Sequence, residues 1–412
     1  MANAEHLALI QQGVAVWNQW YQKQKQVIPD LSKANLSNLD LSKIDLKGAN
    51  LAEANLSNTN LNQAQLTNAD LSRASLLNAN LENANLKGAN LDYTIFARCK
   101  INRQTIVADK YLRVYEIVND RATDRDFSGV DLSNSNLYRA NLSQANLSNS
   151  NLVNVNFNSA NLRDAYLCKA DSSNANLQNA DLTNAYFSQA NLTNANLRGA
   201  LCCGTYFIGA DLSFADFKSS KIDRKTMIDP KWQSVWEIVN CGAAGKNLSG
   251  ADLSNANLSE ADLTGANLTN AKLSHAILRR SNLDRTNLTN SNLVGANICG
   301  VDLAQANLKG AKLKAIVSDR HTLFPSTVKD RGNLMVKEKP TGVSRAIVPS
   351  SSTTPAIEPT KTKFGKTTTS KTIIALLLGI IASVAAIGYF FTQQSANSSS
   401  ESQLNDWQQL EQ

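Results

Sequence analysis

The chain has 412 residues, a formal net charge of +7, 18% charged residues and only 6% aromatic residues. A composition biased toward small polar and aliphatic residues is a reason to look for internal repeats before dividing the chain into ordinary domains. Residues 1–325 carry only +4 of the net charge, which excludes long-range steering of a strongly charged partner. The six cysteines are scattered without CxxC pairs, so we expect reduced structural thiols rather than a disulfide framework.

The first segment predicts one amphipathic helix over 4–26 that ends before Pro29. Its apolar residues recur at spacings of three and four and so share one face: Leu7, Ile10, Val14, Trp17 and Tyr21. We therefore assign 1–28 as an N-terminal amphipathic capping helix, a lid over the apolar end of a repeat stack. Trp17 and Trp20 leave a membrane-interface anchor as the alternative.

From Leu31 onward, an apolar residue recurs every five positions, with a small residue, usually Ala, two positions before it. The repeats form three blocks, 31–96, 127–222 and 248–313. On an α-helix, successive apolar residues would step by about 140° and form no stripe. On a strand, they would alternate between opposite faces. The chain must therefore turn a corner in every unit, which Asn, Asp, Ser and Gly favour, and the sequence predicts a parallel β-helix-like solenoid.

Units such as ANLSN, ADLTG and ANLKG resemble the A(D/N)LXX unit of the pentapeptide-repeat family, whose members are especially numerous in cyanobacteria. The resemblance covers roughly 30–325. It implies an all-β solenoid, a right-handed quadrilateral parallel β-helix with four pentapeptides per coil. Three blocks of this length would make about 12 coils and a tube about 58 Å long. Residues 20 apart would then stack, among them Phe187 over Phe207.

Two interruptions, 97–126 and 223–247, separate the blocks and are copies of each other. VYEIVN at 114–119 matches VWEIVN at 235–240, at an offset of 121 residues. We predict a short helix in each insertion, with its aromatic face packed against the solenoid to cap one block and begin the next. A partner-binding groove is the alternative. The segment 29–325 is thus assigned as a pentapeptide-repeat β-helix with two helical insertions.

The composition changes after residue 325. Residues 326–371 contain nine basic residues, three acidic residues and four prolines, which predicts a disordered basic linker. The uncharged segment 372–391 is long enough to cross a bilayer and predicts a transmembrane helix. Lysines precede it, whereas the polar tail, 392–412, has three acidic residues and no basic one. The positive-inside rule therefore predicts a single-pass membrane protein with its solenoid on the cytoplasmic side.

No residue is predicted to be catalytic, cofactor-binding or metal-ligating. His6, His275 and His321 lie in three separate sequence contexts without metal-ligand spacing. No P-loop, Rossmann glycine pattern or nucleophile elbow is present. The aspartates alternate with asparagines, one per unit, which indicates turn formation. We therefore expect no enzymatic activity, no cofactor, no small-molecule substrate and no nucleic-acid partner.

The favoured function is a non-enzymatic membrane-tethered scaffold that offers its solenoid faces or inserted helices to another protein. The family resemblance also implies an alternative, because its strongly acidic members mimic DNA and bind type II topoisomerases. The near-neutral solenoid and the predicted anchor disfavour that alternative. An enzyme or metal site hidden in the inserted helices ranks last.

Overall fold

Parallel backbone bridges join residues 20 apart along the repeats, as from Asp30 to Asn50 and from Asn50 to Asp70. The bridges recur every five residues, so each coil contains four units and each block has four ladders. These contacts come from a computed structural model that describes residues 2–24, 26–119, 122–328 and the strand at 335–337. The predicted four-sided parallel solenoid is therefore what the described residues form.

Each unit combines an inward Leu with a turn made by its polar neighbours. In the unit around Leu56, both Leu56 and Ala54 are buried. The Oδ1 atom of Asn55 accepts the N–H of Ser57 at 3.1 Å, which bends the chain at the corner. Two residues after the leucine, Asn58 has a φ of 58° in the left-handed region. Asn and Gly tolerate that region best, which explains their frequency in the repeat.

Threonines replace Ala at a few inward positions without leaving their hydroxyls unsatisfied. Thr59 Oγ1 donates to the carbonyl of Leu36 at 2.8 Å, and Thr205 Oγ1 donates to that of Leu182 at 2.7 Å. Both threonines are buried. The carbonyl of a neighbouring coil thus supplies the partner that a buried hydroxyl requires.

The N-terminal segment forms two helices, α1 (Ala4–Gln11) and α2 (Val14–Lys23), rather than the single helix predicted over 4–26. Gly13 has a φ of 106°, a conformation that L side chains rarely adopt, and the helix ends there. The prediction was wrong because the apolar spacing continues across this glycine and hides the break.

Side chains of α1 and α2 hydrogen-bond to the backbone edge of the first coil. His6 Nδ1 accepts the N–H of Asp30 at 3.0 Å, and Trp17 Nε1 donates to the carbonyl of Asp45 at 2.7 Å. Asn18 Oδ1 accepts the N–H of Asp45 at 2.8 Å. These contacts satisfy backbone groups that would otherwise lack a neighbouring coil.

The inserted helices are α3 (Asp109–Val118) and α4 (Pro230–Cys241). Before each helix the coil continues beyond the predicted block ends at 96 and 222, because bridges still form at Ile106 and Met227. The chain accommodates one extra residue in that last unit and remains in the ladder. The helical insertions are consequently shorter than predicted.

Two short strands end the described region. Strand β1 (Ile316–Ser318) pairs in parallel with β2 (Met335–Lys337). Strand β2 lies within the segment predicted to be a disordered linker, and the prediction is wrong for these three residues because they extend the ladder.

The remaining C-terminal predictions, namely the rest of the linker after residue 328, the transmembrane helix at 372–391 and the tail at 392–412, lie outside the described residues. Among the residues that are described, no helix is both long and apolar enough to cross a membrane. The described residues all belong to one compact unit, Met1–Thr341.

Candidate functional site

Each block ends in a loop whose acidic or amide side chain binds the coil below it. Asp223 Oδ1 accepts the N–H of Gly204 at 2.8 Å and the hydroxyl of Thr226 at 3.0 Å. Burial by itself would raise the pKa of Asp223, but these hydrogen bonds outweigh it and hold the pKa below its usual value. Asn102 and Asp319 occupy the same place at the other two exits. The aspartates of this motif therefore have a structural role.

The last residue of the EIVN motif closes the open edge of the coil beneath it. Asn240 Nδ2 donates to the carbonyl of Phe217 at 3.1 Å, and its Oδ1 accepts the N–H of Ser219 at 2.7 Å. Asn119 makes the equivalent bonds, to the carbonyl of Phe96 at 3.3 Å and from the N–H of Arg98 at 2.7 Å. The sequence singled out the motif, and the identical Asn in both copies was the signal of this function.

A shallow groove lies between the first exit loop and α3. It is lined by Ile101, Asn102, Arg103, Thr105, Val107, Leu112, Tyr115 and Glu116. The equivalent of Leu112 in α4 is Gln233, whose Nε2 donates to Glu237 Oε1 at 3.1 Å. The two copies therefore differ at one half-buried position of the groove, which is apolar only beside α3.

The neighbouring Tyr111 holds α3 on the coil. Its hydroxyl donates to Asp92 Oδ1 at 3.0 Å and accepts the N–H of Leu91 at 3.3 Å. Burial raises the pKa of Tyr111 to about 12, so the phenol stays protonated at any physiological pH. The attachment of α3 beside the groove therefore does not depend on ionisation of Tyr111.

A column of tyrosines stands on one face of the second block. Tyr166 and Tyr186 stack with ring centroids 5.1 Å apart, and Tyr186 and Tyr206 follow at 6.3 Å. The exposed Met227 continues the column at the next bridge. We did not single these tyrosines out from the sequence, although their spacing of 20 residues was the signal. The inward pair Phe187 and Phe207 stacks at 5.4 Å, which confirms that prediction.

The three histidines are not brought together. His6 is buried in the N-terminal cap, His275 lies at a turn with a φ of 58°, and His321 lies in the last exit loop. Among the residues that the structure describes, no group of three or more His, Cys, Asp and Glu side chains could hold a metal ion.

All six cysteines are described and free. Cys202 fills an inward position, and burial raises the pKa of its thiol. Burial also raises the pKa of the Cys99 thiol to about 12. Both thiols are therefore protonated and poorly suited to nucleophilic chemistry.

Two models of repeat families match the sequence of the solenoid. The pentapeptide-repeats family model matches 30–68, 64–103, 185–222, 247–283 and 281–315. The pentapeptide repeat region model matches 121–197, and the two together cover more than half of the chain. The chain belongs to the pentapeptide-repeat family. Its solenoid is accordingly a right-handed β-helix.

Several solved structures are similar to this chain. A pentapeptide-repeat protein from the Arabidopsis thaliana thylakoid lumen is 34% identical over 27% of this chain and 75% of its own, with a TM-score of 0.25. HetL, involved in heterocyst differentiation regulation in the cyanobacterium Nostoc, is 25% identical over 71% and 91%, with a TM-score of 0.15. The plasmid-mediated fluoroquinolone resistance protein QnrB1 is 17% identical over 48% and 92%, with a TM-score of 0.17. No curated protein matches the chain.

Proposed function

We propose that this protein is a membrane-tethered, non-enzymatic scaffold that binds a protein partner at the groove between the first exit loop and α3. The observation that carries the proposal is the apolar lining of this groove by Val107, Leu112 and Tyr115. Partly exposed apolar side chains rimmed by charged groups are typical of protein interaction sites. The charged groups here are Arg103 and Glu116.

The use of the acidic residues supports a non-enzymatic function. Asp262 Oδ1 accepts the N–H of Thr264 at 3.1 Å and its hydroxyl at 2.6 Å, and Asn267 makes the same bonds to Thr269. Because Asp and Asn are interchangeable in this arrangement, the carboxylates serve to hold turns. A general acid or base would need a carboxylate whose role an amide could not fill.

The rigidity of the solenoid supports the scaffold part of the proposal. Every coil bonds to the next through its backbone, and the Leu and Ala side chains fill the interior. Binding to a rigid, preorganised surface involves little ordering of the protein. A partner would therefore meet a groove of fixed shape.

The tether is supported by the sequence. Residues 372–391 are apolar and uncharged over a length that matches a bilayer. Lysines on the N-terminal side of this segment favour a cytoplasmic solenoid. The scaffold would then hold its partner close to the membrane.

The test is proximity labelling from the intact full-length protein and from a Leu112→Glu variant. The charge should be incompatible with an apolar side chain of the partner, so we expect the labelling of at least one protein to fall more than tenfold. Gln233→Glu is the matched control, because it places the same charge at the equivalent position of α4. Its labelling should equal that of the unchanged protein.

Two outcomes would contradict the proposal. If Leu112→Glu and Gln233→Glu label the same proteins as the unchanged chain, the groove is not the binding site. If removal of 372–412 leaves the set of labelled proteins unchanged, the tether does not select the partner.

A further inference from the structure

We propose that the last coil of the solenoid binds the anionic surface of a membrane through Lys309, Lys312 and Lys314. The inference rests on the proposed function in one respect, because the anchor would bring this coil to the same bilayer. It adds a second membrane contact, made by the folded solenoid itself.

The last coil differs in charge from the coils that end the first and second blocks. The bridges that end the blocks align Lys309, Lys312 and Lys314 with three residues of the first block and three of the second. The aligned residues are Asp92, Ile95 and Ala97 in the first block and Ser213, Asp216 and Lys218 in the second. Their formal charges are −1 and 0, against +3 in the third block. The same backbone position has therefore acquired a concentrated positive charge only where the solenoid is followed by the linker and the uncharged segment.

The positive charges of the three lysines are not neutralised by ion pairs with the described residues around them. All three are exposed, and no ion pair engages them among the described residues. The nearby Asp319 is occupied, because it accepts the N–H groups of Gly300 at 2.9 Å and His321 at 3.0 Å. By contrast, Asp92 in the first block pairs with Lys110 of α3 at 3.4 Å.

Two backbone N–H groups of this coil differ from their counterparts in the first block among the described residues. In the first block, the N–H of Leu91 donates to Tyr111 Oη at 3.3 Å. The N–H of Tyr93 donates to the carbonyl of Asn134 at 2.7 Å. The corresponding N–H groups in the last coil belong to Leu308 and Gly310. Within the part of the chain that the structure describes, no hydrogen bond engages either group. Lysine ammonium groups favour phosphate oxygens, with which they form charge-assisted hydrogen bonds.

A lipid bilayer is the partner that these observations favour. The uncharged segment, 372–391, follows this coil in the chain, after the basic segment 326–371. Each Lys near an anionic bilayer strengthens binding by roughly fivefold. Three lysines on one rigid coil act together because they reach the surface at the same time.

The experiment measures sedimentation of the chain with vesicles after removal of 372–412, which lie outside the compact unit Met1–Thr341. Vesicles of phosphatidylcholine alone are compared with vesicles containing about one third phosphatidylserine. The test variant is Lys309→Ser, Lys312→Ser and Lys314→Ser. We expect it to bind the anionic vesicles more than tenfold more weakly than the unsubstituted chain, and we expect neither chain to bind the neutral vesicles.

The control variant removes the same net charge elsewhere, with Lys43→Ser, Lys87→Ser and Lys169→Ser. These lysines are also exposed, and their replacement should change vesicle binding by less than about twofold. Circular dichroism of both variants shows whether the β-helix is retained. Equal losses in the two variants would overturn the proposal, because the binding would then follow net charge or the linker. Tighter binding to a DNA duplex or an RNA hairpin than to anionic vesicles would overturn it in favour of a nucleic-acid surface.

Failure of this inference can be told apart from failure of the tether. If the chain without 372–412 binds anionic vesicles through the three lysines while the full-length protein is recovered free of membranes, the surface is correct and the anchor is not. If the full-length protein is membrane-bound and the lysine variant binds vesicles normally, the anchor is correct and the surface is not.

Discussion

Two buried serines of the coil differ in whether their hydroxyls are hydrogen-bonded. Ser291 replaces Ala at an inward position, and its hydroxyl donates to the carbonyl of Leu288 at 2.8 Å. Ser172 occupies a central position, where Leu is usual, and it is fully buried. Its Oγ atom has no hydrogen-bond partner among the residues that the structure describes. A buried hydroxyl without a partner destabilises the folded state.

We predict that Ser172→Ala stabilises the protein by about 1–3 kcal/mol, since it removes an unsatisfied polar atom without adding volume. The matched control, Ser291→Ala, removes a satisfied hydroxyl and should destabilise the protein by about 1 kcal/mol. Thermal unfolding followed by circular dichroism measures both changes. A lower melting temperature for Ser172→Ala would show that its hydroxyl is satisfied in solution.

The turn aspartates predict an acid-sensitive fold. Hydrogen bonds from the hydroxyl and N–H of Thr264 lower the pKa of Asp262, and those from the N–H and hydroxyl of Ser42 lower the pKa of Asp40. A folded-state pKa below the unfolded one gives stability that is present above the unfolded value, about 3.9, and is lost as the pH falls through the folded value. The melting temperature of the double variant Asp40→Asn, Asp262→Asn should therefore fall less between pH 7 and pH 3 than that of the unchanged protein. An equal loss would mean that these carboxylates do not contribute.

For single residues, the sequence predicted the inward Leu and Ala and the polar turns, because a period of five assigns each position in the unit directly. It did not predict that Thr59 would donate to a carbonyl 23 residues earlier in the chain, since that partner lies in another coil. It also did not distinguish Ser172 from Ser291. Only the coil geometry shows which hydroxyl has a carbonyl within reach.

The inserted helices terminate coils as well as covering them. An open coil edge resembles the edge of a β-sheet, which pairs readily with other chains unless it is blocked. Asn240 blocks one such edge by bonding to Phe217 and Ser219. The helix is thereby attached to the coil through its last turn.

Asn240→Ala should destabilise the second block by about 1–3 kcal/mol, because the N–H of Ser219 loses its partner. The carbonyl of Phe217 still accepts the N–H of Ser220 at 2.9 Å. We expect faster hydrogen exchange at the Ser219 amide and a lower melting temperature. Gln233→Ala, on the exposed side of the same helix, is the control and should leave that amide protected. Unchanged exchange at Ser219 in Asn240→Ala would contradict the edge-closing role.

The sequence predicted both inserted helices from their apolar spacing and their duplication, but it began the insertions too early, at 97 and 223. The extra residue in the exit loops lets Ile106 and Met227 stay in the ladder, and a strict period of five cannot show this. The groove beside α3 was left open as an alternative to simple capping. Its lining depends on packing between Leu112 and the exit loop, which the repeat pattern does not contain.

The described solenoid is a regular tube whose distinct surfaces occur where the repetition fails. The groove beside α3 differs from the equivalent surface of α4 at Leu112, which is Gln233 there. The tyrosine column stands on the second block, and the three lysines stand on the last coil. Duplication built the solenoid, and divergence between the copies distinguishes these surfaces. The near-neutral charge of residues 1–325 remains unfavourable to DNA mimicry.

The most direct test of the membrane-tethered scaffold is fractionation of the full-length protein from its native cells. We predict that it sediments with membranes, resists extraction by high salt and alkaline carbonate, and is released only by detergent. Protease added from the cytoplasmic side should remove the solenoid, and the chain without 372–391 should be released by high salt. Recovery of the full-length protein in the soluble fraction, or protection of its solenoid from cytoplasmic protease, would contradict the account.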